Sequence, residues 1–63
     1  MTFENAPKTA SYALVNNIDG RTYYFATYLA AYGLKIDFLT RYRLAGNKRV
    51  LSSPHFHLKI YEL

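Results

Sequence analysis

The chain has no cysteine and no tryptophan, and it sets only four aspartates and glutamates against eight lysines and arginines. Without cysteine, neither a disulfide framework nor a thiolate zinc site is available as staple or catalyst. No stretch approaches the roughly 18 continuous apolar residues of a membrane span, and the N-terminus lacks the basic-then-apolar layout of a secretion signal. A complete cytoplasmic protein with no membrane partner is therefore expected. The three glycines, Gly20, Gly33 and Gly46, are too widely separated to form a phosphate-cradling loop and read as punctuation between elements. Acid is scarce where chemistry would need it. His55 and His57 have few carboxylates nearby to complete a metal site, and nothing marks a carboxylate orienter or an oxyanion cradle for Ser52 and His55. No cofactor, metal or enzymatic activity is expected.

What is present is material for a core. The chain is 63 residues long, 51% apolar, with seven tyrosines and four phenylalanines. That length gives one domain, able to bury about 60% of its unfolded surface. The charge is also localised. Lys35, Arg41, Arg43, Lys48 and Arg49 face only Asp37 within their window, whereas Lys8, Arg21 and Lys59 are matched by Glu4, Asp19 and Glu62. The net charge of +4 thus resides between Lys35 and Arg49. A polyanion is the natural partner of such a segment.

Local patterns suggest the elements. Met1–Ala10 has no usable period and reads as a flexible arm, leaving 11–63 as the single domain. Ser11–Val15 reads as a strand entering a turn at Asp19–Gly20. Arg21–Phe25 returns as a second strand or, with Thr22 as a cap, begins a helix; a brief return followed by a helix is favoured. Phe25, Tyr28, Leu29 and Tyr32 share one helical face, and Gly33 ends that helix. Leu34, Phe38, Leu39 and Tyr42 suit a second helix, closed by Gly46 and Asn47. Phe56, Leu58 and Ile60 alternate with polar neighbours as a strand does, and Arg49–Leu51 is the expected first leg of a hairpin with it, Pro54 lying in the turn. Leu14, Phe25, Leu29, Leu34, Leu39, Phe56, Leu58 and Ile60 form the expected core. Tyr28, Tyr32 and Tyr42 are assigned to packing, while Tyr23, Tyr24 and Tyr61 are candidates for stacking on bases or for a protein interface.

Two short helices broken by a glycine and followed by a hairpin have the layout of a helix-turn-helix with a wing. The segment from Ala26 to Gly46 resembles the helix-turn-helix modules of small bacteriophage regulators, excisionases and the DNA-reading ends of phage homing endonucleases. Its small-residue first helix, Gly33 followed by Leu34, Leu39, and the closing Gly46 carry that resemblance. The resemblance implies an α+β fold of winged helix-turn-helix type and a transcriptional or recombination regulator that binds duplex DNA. Lys35, Thr40 and Arg41 are then the expected base-facing residues, with Arg43, Lys48 and Arg49 on phosphates. A homodimer is the expected means of reaching useful affinity. The alternative expectation is a small phage-type inhibitor or adaptor whose basic, aromatic face docks on an acidic host protein.

Overall fold

A computed structural model describes residues 3–63, the side chain of His55 excepted. The chain is a small α+β domain with the order β1 (Tyr12–Asn16), β2 (Arg21–Phe25), α1 (Tyr28–Leu44), α2 (Lys48–Ser52), α3 (Pro54–His57) and β3 (Leu58–Glu62). The three strands form one antiparallel sheet in the order β2-β1-β3, with β1 in the centre.

The β1–β2 turn is built by one asparagine. Asn16 Oδ1 accepts from the backbone N–H of Ile18 at 2.8 Å, and Asp19 Oδ1 accepts from the N–H of Arg21 at 2.9 Å. Gly20 completes the turn at a φ of +74°, a region that other residues enter only at a steric cost. This resolves the open choice at Arg21–Phe25 in favour of a strand. The register sets Leu14 between Tyr23 and Ile60 on one face of the sheet, and Ala13 between Tyr24 and Tyr61 on the other.

The first of these faces takes the helix. Leu14, Phe38 and Leu58 form the buried centre, with Tyr23, Phe25, Leu34, Leu39, Tyr42 and Ile60 packed around them. One polar bond ties helix to sheet: Asn16 Nδ2 donates to the Tyr42 hydroxyl at 2.9 Å. The second face is partly covered by the N-terminal residues. The Phe3 ring lies 6.4 Å from Tyr24 and 5.5 Å from Tyr61, so the segment expected to be a loose arm is applied to the sheet from Phe3 onward. The same contacts place Tyr24 and Tyr61 in aromatic packing, as Tyr23 is against Phe38 at 5.6 Å.

Three sequence-based expectations need correction. The helix does not stop at Gly33; α1 runs for 17 residues without interruption. A glycine inside a helix costs only about 1 kcal/mol, and an unbroken helix keeps Ala31, Phe38 and Tyr42 in one line against the sheet. Its true ends are capped. Thr27 Oγ1 accepts from the N–H of Ala30 at 3.3 Å, and Gly46 at a φ of +71° closes the other end. There the N–H groups of Gly46 and Asn47 reach the carbonyls of Arg43 and Tyr42, which is a Schellman arrangement.

The expected C-terminal hairpin is also absent from the described residues. Asn47 Oδ1 accepts from the N–H of Val50 at 3.2 Å and starts α2, and Pro54 stands at the start of α3, where its missing N–H costs nothing. β3 pairs instead with the open edge of β1 along five positions. A five-residue ladder satisfies more backbone groups than a three-residue leg at Arg49–Leu51 would. Asn17 fixes the junction, its N–H donating to the carbonyl of His57 and its side chain to that of Phe56. The third correction concerns the core: Leu29 is 78% and Phe56 69% exposed, while Phe25 ends β2 instead of opening the helix. Without a hairpin beside the helices or a break in α1, the fold lacks the expected winged layout. No helix among the described residues is long and apolar enough to cross a membrane.

Candidate nucleic-acid interface

Successive residues of an α-helix are about 100° apart, so the positions of the predicted contact residues around α1 follow from the inward side chains. Ala31, Lys35 and Phe38 are the buried residues of α1. Lys35, expected to face bases, is therefore on the inner side and only 8% exposed. Burial disfavours its charged form and lowers its pKa from the ordinary 10.5. It is a structural lysine beneath the sheet, and its removal from the interface is the main correction to the site.

Thr40 is exposed, and its hydroxyl donates to the carbonyl of Ile36 at 3.0 Å. Arg41 is exposed with its guanidinium 5.6 Å from the centre of the Phe38 ring, a cation–π contact that holds it along the helix flank. Arg43 is exposed on the other flank, because two helical steps separate it from Arg41 by about 160° measured the short way round. The three residues expected to read bases thus do not converge: Lys35 and Thr40 differ by about 140° and Thr40 and Arg41 by about 100°.

A smaller set flanks one turn. The Schellman turn folds the chain back at Gly46, so that Lys48 and Arg49, both exposed on the first turn of α2, follow directly on Arg43 in the last turn of α1. From Arg41 to Arg49 there are four cations and no carboxylate. The helix end itself favours Arg41 and Arg43, whose charge offsets the unpaired carbonyls there. Asp37 lies a full turn or more earlier.

Beside this corner is a feature that charge patterning did not reveal. Ile36, Leu39, Thr40 and Arg43 of α1, with Leu51 and Pro54, line an open groove of about 290 Å³. Its helical wall extends toward the N-terminus of α1 through Tyr32 and Leu29. The sequence held the signal, because 29, 32, 36, 39 and 43 alternate three- and four-residue steps. Of that stripe, Leu29 and Leu39 were expected in the core, Tyr32 in packing and Arg43 on phosphates.

The remaining candidates are the two histidines. His57 is buried with its ring 5.1 Å from that of Phe56, and the side chain of His55 lies outside the described residues. Among the described residues no group of three or more histidines, cysteines, aspartates or glutamates is placed to hold a metal ion. Comparison with protein families, with characterised proteins and with solved structures finds no match to this chain.

Proposed function

We propose that the chain binds duplex DNA through its phosphates, using the corner between α1 and α2. Arg43, Lys48 and Arg49 are the principal contacts, and Arg41 is a flanking one. The observation that supports this reading is the run of exposed cations from Arg41 to Arg49 with no acid among them. Arg43, Lys48 and Arg49 on either side of one bend raise local phosphate binding by releasing counterions, a term that does not require base reading. Insertion of a recognition helix into the major groove, as in a winged helix-turn-helix, would require α1 to open at Gly33 and Lys35 to leave the core. The proposal is therefore a backbone-binding regulator of transcription or recombination, with the exposed Thr40 and Arg41 available for contact with base edges.

Three phosphate contacts give a slope of about −2.7 in the logarithm of affinity against the logarithm of salt, at about 0.9 each. Anisotropy of a labelled duplex of mixed sequence, titrated between low and physiological salt, measures it. Replacing Arg43, Lys48 and Arg49 together with alanine is expected to flatten that slope almost completely. If the unmutated protein leaves the duplex free at low salt, the proposal is lost. A second reading, an adaptor or inhibitor that seats on an acidic protein, is favoured by the exposed apolar flank of α1 beside the same corner.

A further inference from the structure

The outer flank of α1 has the spacing of a helix-packing seam: Leu39 is half-buried with one side against the core, and the other seam positions are exposed. Leu29, Tyr32, Ile36, Leu39 and Arg43 recur at steps of three, four, three and four, and all five are at least partly exposed, with Leu29 at 78% and Ile36 at 40%. From Leu29 to Arg43 the seam is about 21 Å long, at 1.5 Å per residue. Exposed apolar surface arranged in this way on a small domain marks an interaction site more often than a solvated face.

The geometry points to a partner: an acidic amphipathic helix that lies antiparallel to α1 in the groove walled by Leu51 and Pro54. This deepens the adaptor reading and rests on it. The 3-4 spacing selects a helix over an extended strand, because a partner helix presents knobs at the same intervals. Charge selects its composition. The groove lining includes Arg43 and no carboxylate, and the seam ends beside Lys48 and Arg49. Asp37 stands about 100° round α1 from Ile36.

Charge also disfavours a second copy of this chain, which would bring another +4 to the same surface and no acid in the first turn of its own α1. Orientation follows from the dipoles. A helix is stabilised by carboxylates in its first turn, and laid antiparallel it sets that turn against Arg43 and the carbonyl end of α1. The partner therefore carries leucine or isoleucine at alternating three- and four-residue steps over about two heptads, with aspartate or glutamate at its N-terminal end.

The test uses the full chain and three labelled 18-residue peptides. The first has leucines at the seam positions and glutamates in its first turn; the second carries the same glutamates in its last turn; the third is a scramble of the first that destroys the seam. Anisotropy titrations are expected to show the first binding at least about tenfold tighter than the other two. Ile36→Ser should weaken it by about tenfold with circular dichroism unchanged, Ile36 being outside the core. Arg43→Glu should abolish the preference for the first peptide over the second. Equal binding of the scramble overturns the helix-in-groove inference while leaving an acidic partner standing. No binding by any acidic peptide at 100 µM or about that concentration overturns both. Sedimentation as a dimer that Ile36→Ser dissolves overturns the inference in favour of a second copy.

Discussion

The inner face of α1 lays Ala31, Lys35, Phe38 and Tyr42 against the sheet, whereas the outer flank turns Leu29, Tyr32, Ile36 and Arg43 toward solvent. Hydropathy alone would reverse the two, since the buried line includes a lysine and the exposed one a leucine and an isoleucine. What selects the inner face is its fit to the sheet: Phe38 packs with Leu14 and Leu58, and the Tyr42 hydroxyl receives the Asn16 amide. The difference teaches that apolar content nominates a helix face and that complementary partners elect it.

The strongest way to break this comparison is Phe38→Ala. Removing a buried phenyl ring costs about 3 to 5 kcal/mol, comparable with the whole stability of a small domain, so thermal melting should show a largely unfolded protein. Lys35→Met comes next. Because burial already disfavours the charged amine, the substitution is expected to raise stability at neutral pH, read as a shift of the denaturant midpoint.

The same substitution gives a pH test whose sign is fixed. With its folded pKa below that of the unfolded chain, Lys35 destabilises the fold wherever it is charged, and that cost is relieved as pH rises through the folded pKa toward 10.5. Stability of the unmutated protein relative to Lys35→Met should therefore increase on the alkaline side below 10.5. Paired denaturant titrations across that range measure the difference; a constant gap would show that burial does not tune this lysine.

Gly33→Ala sharpens the comparison at the point where both faces meet. Nothing lies within 4 Å of a Cβ added there, and Gly33 is not in the positive-φ region. The substitution should stabilise the helix by about 0.8 to 1 kcal/mol, visible as a higher melting temperature. A loss of stability would instead mean that the chain bends at Gly33, which would restore the broken helix pair. The smallest effect is expected for Leu29→Ser, within about 0.5 kcal/mol on stability, because the side chain is already in water. Its effect on binding of the acidic peptide should exceed that on folding.

Much of the architecture was legible. The turn at Asp19–Gly20, the strand centred on Leu58 and Ile60, the stop at Gly46 and the helical character of 28–44 all appear in local residue chemistry. The expected site was legible only in part. Arg43, Lys48 and Arg49 are exposed on either side of one turn, and that turn is encoded within a few residues. Lys35, Thr40 and Arg41 do not converge, because their facing depends on where an unbroken helix places each 100° step. Treating Gly33 as a break shifted that assignment and placed Leu29 inside.

The sequence by itself determined the features that short-range bonds control: the Asn16 turn, the Thr27 and Asn47 caps, the glycine closure at Gly46 and the concentration of positive charge after Lys35. Only the tertiary structure decided which side of α1 is buried, that β3 joins the free edge of β1, and that Phe3 covers the opposite face of the sheet. Those outcomes depend on contacts between residues tens of positions apart. No local propensity carries the energy of such contacts, because each side chain gains it only when a distant partner of matching shape and polarity is already in place.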